Sequence, residues 1–191
     1  VSEARVPRLS HDDTVAAAEQ VGLPTYLADL DVFRVLFRHP PLARAFNNLL
    51  AQLLFKNRLD ARLRELVIMR IGWQTGSVYE WTQHWRIARS LGVAVDDLLA
   101  VREWRASDRF GPAEQAVLTA TDEVLSDGMI SAATWAACAA ELESPEELLE
   151  LVTAIGGWHM VSAMLRSLEV PLEDGVEAWP PDGCVPESAR S

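Results

Sequence analysis

Cysteine is nearly absent from this 191-residue chain. Cys138 and Cys184 are its two thiols, and their wide separation rules out a CxxC redox pair and a cysteine-built metal site. A disulfide between them is not expected in a reducing compartment. Lysine is scarcer still: Lys56 stands alone beside sixteen arginines, within a formal net charge of -11. That balance argues against a nucleic-acid partner, which needs a basic face to neutralise backbone phosphates. Long apolar runs are also missing. Leu66–Met69 is typical, far short of the roughly 20 residues that cross a bilayer, and no charged-then-apolar leader precedes Ser10. The expectation is a soluble, cytoplasmic protein with no membrane partner. Strand-like alternation of apolar and polar residues is absent as well, which leaves helices.

What is present is 49% hydrophobic and 24% charged residues, enough for one domain that buries roughly 70% of its unfolded surface. Ser10 is a candidate cap for a first helix ending near Gly22, and Asp31–Arg38 reads as a short helix or turn. Pro41 to Phe55 is a longer helix with Leu42, Phe46, Leu49, Leu50, Leu53 and Leu54 as its buried stripe. Asp60 caps a helix to Trp73 that is apolar on most faces and belongs in the middle of the fold. Ser77–Leu91, Val95–Trp104, Ala113–Leu125, Ser131–Leu142 and Pro145–Leu168 continue the pattern with Gly92, Asp127-Gly128 and Ser144 as punctuation. The predicted fold class is all-α, an antiparallel helical bundle with short connections. It divides into an N-terminal arm and first helix (1–30), a helical domain (31–170) and a Pro-rich acidic tail (171–191). The tail has four prolines and five acidic residues, so by itself it buries little. Trp179 within it marks either a docking point, on this chain or on a neighbouring subunit, or simple disorder.

The candidate site lies in the stretch from Leu59 to Gly92. Glu80 and His84 are four apart and share a helix face, with Ser77 one turn further back. Trp81, Ala88 and Leu91 continue that face, which turns His84 toward the core. A histidine in apolar surroundings beside a carboxylate can exchange a proton; it can equally be a core histidine bonded to a carbonyl. Ser77 followed three residues later by Glu80 also matches a capping box, a purely architectural reading that leaves Tyr79 and His84 as the better substrate contacts. Glu65 interrupts an apolar helix, where an unpaired carboxylate is costly to bury. Its compensation is either Arg62, one turn earlier, or His84 across the Thr75-Gly76 turn.

These residues carry a resemblance. Glu65-Leu-Val-Ile-Met-Arg70, then Tyr79-Glu80-Trp81-x-x-His84, then Ala88 and Gly92, are similar to the signature of the carboxymuconolactone decarboxylase family within the alkyl hydroperoxidase D-like superfamily. The resemblance implies an all-helical fold that assembles as a homo-oligomer, commonly a trimer or hexamer. In the superfamily's peroxidase branch a glutamate is followed by a CxxC pair and a histidine; here those positions hold Glu65, Ser77, Glu80 and His84. Without thiols, that branch's disulfide chemistry has neither nucleophile nor electron store.

The decarboxylase branch shares the lack of cysteines. It implies a cofactor-free lyase or isomerase acting on a small cyclic carbonyl or lactone acid. His84 is then general acid/base, Glu65 its orienting partner and Tyr79 an oxyanion or positioning contact. Glu80, Ser77, Trp81, Arg70 and His159 are the expected substrate-binding residues, Arg86 and Arg166 are further candidate cations, and no metal is expected. Trp158 falls where many relatives carry a tyrosine. Two other classes compete: a peroxidase-like oxidoreductase, disfavoured by the missing cysteines, and a non-catalytic helical binding or assembly protein.

Overall fold

The computed structural model describes residues 3–190. The first two residues of the expected arm and the last residue of the expected tail lie outside the described residues. Among the described residues there is no strand, and the α-helices are α1 (His11–Gln20), α2 (Asp31–Leu36), α3 (Pro40–Phe55), α4 (Ala61–Thr75), α5 (Val78–Ser90), α6 (Val95–Ala100), α7 (Pro112–Asp127), α8 (Ala132–Glu141) and α9 (Pro145–Ser167). Several start where a short polar side chain takes up a free backbone N–H. Ser10, Asp60, Ser131 and Ser144 accept from Asp13, Leu63, Thr134 and Glu147 at 3.1, 3.0, 3.2 and 3.3 Å, each cap being worth about 1 kcal/mol.

The chain forms two compact units. One runs from the N-terminus through Lys56 and includes Met164–Ala178. Its arm is tied down: the Arg5 N–H bonds the Leu168 carbonyl at 2.8 Å, and the Leu9 N–H bonds the Arg34 carbonyl at 2.9 Å. The Glu173 carboxylate accepts from the Asp31 N–H at 3.0 Å. The stripe expected to be buried along α3 is covered only in part. Leu53 is buried and Phe46, Leu50 and Leu54 are half-buried, but Leu42 is 52% and Leu49 38% exposed. Helical periodicity shows that one face is apolar; it does not supply the surface that covers it.

The other unit comprises Asn57–Ala163 and the chain from Trp179 onward. At its centre is α4, buried without a break from Leu63 to Gly72 and packed against α5 and α7. Gly72 permits this approach, since a Cβ there would lie 3.1 Å from the Trp81 backbone nitrogen. α4 ends at Gly76, whose φ of 69° is the left-handed conformation glycine adopts without penalty. The core joins Leu66 and Met69 of α4 to Trp81, Trp85 and Ala88 of α5, then to Leu98, Trp104 and Leu118.

The end of the tail docks on this unit. Trp179 is buried, its N–H bonds the Thr82 hydroxyl at 3.3 Å, and its ring lies 6.0 Å from Trp73 and 6.2 Å from Trp81. The Trp81 indole donates to the Pro180 carbonyl at 2.8 Å. Arg102 holds Asp182 through two bonds of 2.8 and 2.9 Å while its guanidinium lies over the Trp73 ring. The turn Glu187–Ala189 then rests on Gly76, where a Cβ would come within 2.6 Å of the Ala189 nitrogen.

One expectation needs correcting. α9 is long and apolar enough to cross a membrane by length and composition; its apolar character extends over many turns around interruptions that hid it from a search for unbroken runs. In the structure one face of it is buried, with Leu151, Ala154, Ile155 and Trp158 inside, while Leu149, Val152 and Met160 are exposed.

Candidate functional site

The buried carboxylate of α4 finds its partner on α5. Glu65 is fully buried, and its Oε2 lies 2.8 Å from His84 Nδ1. Its Oε1 accepts from Arg64 Nε and Nη2, both at 3.0 Å. Burial alone raises the pKa of Glu65, but the charge and hydrogen bond of His84, then those of Arg64, outweigh it and hold the carboxyl below its ordinary range. Arg62, the alternative partner, turns elsewhere and pairs with Asp97 and Glu114.

The other face of His84 is also taken. The Trp158 indole N–H donates to His84 Nε2 at 3.1 Å, with the two rings nearly perpendicular at 86°. Because an indole nitrogen only donates, Nε2 is the acceptor, which assigns the ring proton to Nδ1, facing Glu65. In this arrangement His84 is held at both nitrogens.

Glu80 does not form the expected capping box. The Ser77 side chain makes no cap bond to the helix, and its buried hydroxyl has no partner among the described residues. Glu80 is drawn instead to α9, where the fully buried Ser162 hydroxyl donates to its Oε2 at 2.5 Å. A short-range sequence pattern is overridden here by a buried hydroxyl that needs an acceptor. Desolvation pushes the Glu80 carboxyl up to about 7, against the opposing pulls of His84 and Ser162. Glu80 thus titrates in the neutral range, where proton exchange with a substrate is effective.

The remaining candidates fall in different places. Tyr79 is buried on α5. Trp81 packs in the aromatic core, 5.1 Å from Trp73 and 6.0 Å from Trp85. Arg70 is committed to structure: it clasps Asp122 at 2.7 and 3.1 Å and caps the carbonyls of Val101 and Arg102 at 2.9 and 2.8 Å. Arg86 is exposed, and His159 is half-buried beside the cavity that Arg70 borders. Sequence reasoning missed Arg64 and Ser162. Adjacent side chains on a helix point apart, so the only hint of Arg64 was an arginine inside an apolar helix, and nothing local announces a hydroxyl 82 residues from Glu80.

Both cysteines are free, Cys138 buried and Cys184 exposed. Burial, reinforced by Glu123, pushes the Cys138 thiol up to about 11, so it carries little thiolate at neutral pH. Among the described residues no three His, Cys, Asp or Glu side chains group to hold a metal ion.

Residues 40–123 match the carboxymuconolactone decarboxylase family. The match spans less than half of the chain. The family segment holds Glu65, Ser77, Tyr79, Glu80 and His84, while Trp158 and Ser162, which bond two of them, lie beyond it. No curated protein matches the sequence. Solved structures share the fold. An uncharacterised peroxidase-related protein from Ralstonia eutropha JMP134, described as an alkylhydroperoxidase AhpD core, aligns with a TM-score of 0.73 at 17% identity, over 91% of this chain and 94% of its own. The debrominase Bmp8, in complex with 2,3,4-tribromopyrrole, gives 0.70 at 20% identity over 88% and 91%. A peroxidase-related protein from Silicibacter sp. TM1040 gives 0.65 at 13% identity over 86% and 85%.

Proposed function

We propose that this chain is a thiol-independent, cofactor-free lyase that decarboxylates a small cyclic carbonyl or lactone acid, with Glu80 as proton donor and the fixed His84 ring as its positioning neighbour. The observation that carries the proposal is the Glu80 carboxyl. It is buried on the turn that also bears His84, and titrates near 7, while the thiols fall outside the motif. In the proposed step the carbon–carboxylate bond breaks, carbon dioxide leaves, and the electron pair becomes an enolate. The Glu80 O–H then breaks as the new C–H forms. The resulting carboxylate keeps the Ser162 bond and regains its proton from water. Glu65 and Trp158 fix the His84 ring, and the unpartnered Ser77 hydroxyl is the donor left for a substrate oxygen.

This reading modifies the role expected of His84. With Nε2 already accepting from Trp158, the transferable proton is better assigned to Glu80. The test is carbon dioxide release from carboxylated lactones in deuterated water, with one deuterium expected at the carbon that lost the carboxylate. Glu80→Gln should cost roughly 10²–10⁴-fold in kcat, the usual worth of a general acid, with the fold retained. Activity should fall as pH rises through about 7, because the donor must be protonated. Full turnover by Glu80→Gln would end the proposal. The exposed Leu42 and Leu49 of α3 support assembly with further copies of the chain, as a trimer or hexamer; light scattering that reports a monomer would remove that part.

A further inference from the structure

A cavity of about 390 Å³ is bordered by Arg70, Thr75, Arg105, Asp122, Ser126 and His159, and none of its lining side chains belongs to the Glu65–His84–Glu80 group. Arginines gather here in a chain of net charge -11. Two guanidiniums and His159 line it beside one carboxylate, Asp122; the Ser131 N–H holds the nearby Glu123 carboxyl below the ordinary range, and Arg105 is close enough for its charge to help. The carboxylate is saturated: Asp122 accepts from Arg70 Nε and Nη2, from the Trp104 indole at 3.0 Å and from Arg105. Arg70 is also fully engaged, as its bonds to the Val101 and Arg102 carbonyls show.

Arg105 is different. Its side chain is 59% exposed, its guanidinium lies 4.4 Å above the Trp104 ring, and Nη1 alone is bonded, to Asp122. Its Nε and Nη2 have no partner among the described residues, and neither has the His159 imidazole. The stacked ring and the Asp122 bond restrain the guanidinium and leave donors over, which lowers the ordering cost of binding. Leu125 supplies an apolar wall.

We infer that this cavity binds a small organic monoanion, its carboxylate held between Arg105 and His159 and its apolar body against Leu125. The apolar wall at Leu125 suits the body of an organic acid better than inorganic phosphate, and the planar guanidinium fork suits carboxylate geometry. The inference stands apart from the proposed reaction, because no group assigned to proton transfer lines the cavity.

Isothermal titration of benzoate and of inorganic phosphate into the full chain, at low ionic strength, tests it. Benzoate should bind saturably with one site per chain and more tightly than phosphate. Arg105→Gln should weaken it by about tenfold or more, the worth of a charge-assisted hydrogen bond; His159→Gln should weaken it less, and Glu80→Gln not at all. Nuclear Overhauser contacts between the benzoate ring and the Leu125 methyls should place the ligand without any variant. Absence of saturable benzoate binding, unchanged affinity in Arg105→Gln, tighter phosphate binding, or ring contacts elsewhere would each overturn the assignment. Because Glu80→Gln tests the reaction while sparing this cavity, the two proposals fail separately.

Discussion

Trp158 donates its indole N–H to His84 Nε2, on the side of the imidazole opposite Glu65. A histidine bonded in this way has one defined tautomer and no free nitrogen, which separates the task of positioning charge from the task of moving a proton.

The tautomer is directly observable. Long-range proton–nitrogen spectra near neutral pH should show His84 Nδ1 protonated and Nε2 bare. Trp158→Phe removes the donor from a buried acceptor and should cost about 1–3 kcal/mol of stability, together with a shift of the Nε2 resonance. A protonated Nε2 in the unaltered protein would contradict the assigned geometry.

Glu80 gives stability a distinctive pH dependence. Its folded pKa is raised from 4.5 to about 7, so between those values the folded chain keeps a proton that the unfolded chain has released. This contribution to stability falls as pH rises through that window, reaching about 3 kcal/mol of relative destabilisation at its upper end. Glu80→Gln should therefore gain stability over the parent at pH 8 and gain none at pH 4. Urea titrations at the two pH values read the difference, and equal gains at both would show that the carboxyl is not buried as an acid.

Glu65 has the opposite sign. Its folded pKa is depressed, so its contribution is present above the ordinary carboxyl range and is lost as pH falls through the folded value. Glu65→Ala should cost about 3–5 kcal/mol at pH 7, the usual loss on breaking a buried ion pair, and the cost should shrink in acid. A pH-independent loss would mean that packing, rather than charge, explains the residue.

The tail is structural in this reading. Trp179→Ala should destabilise the chain by about 3–5 kcal/mol, as expected for a buried tryptophan, and expose the following residues to limited proteolysis. Gly76→Ala should give the same cleavage pattern, because its Cβ would collide with the backbone at Ala189. Resistance in both variants would show that the strap does not depend on this seat.

Much of the helical layout follows from local chemistry that sequence displays. Ser10, Asp60, Ser131 and Ser144 cap where their spacing predicts, and Gly76 and Gly128 close α4 and α7 in the left-handed conformation. The Glu65–His84 contact was open to inference because a lone carboxylate in an apolar helix demands a partner and a short turn brings the next helix beside it. Ser77 and Glu80 show the limit: the pattern for a capping box is present, yet Ser162, distant in sequence, supplies the stronger partner. The docking of Trp179 depends on a pocket assembled from Trp73, Trp81 and Thr82, which no local stretch reveals.

The alternation of the chain between its two units governs when each can be finished. The Arg5 N–H bonds the carbonyl of Leu168, and the core around Trp81 takes in Trp179. Neither unit is therefore contiguous, and neither can be complete on the ribosome until the segment around Ala178 and Trp179 has emerged. A nascent chain that stalls after α8 holds α4 with Glu65 and α5 with His84 and Glu80, but lacks Trp158, Ser162 and Trp179. Glu65 would keep Arg64 and His84, but Glu80 would lack the Ser162 hydroxyl and His84 the Trp158 indole, so the site reaches its final bonding only once α9 has packed.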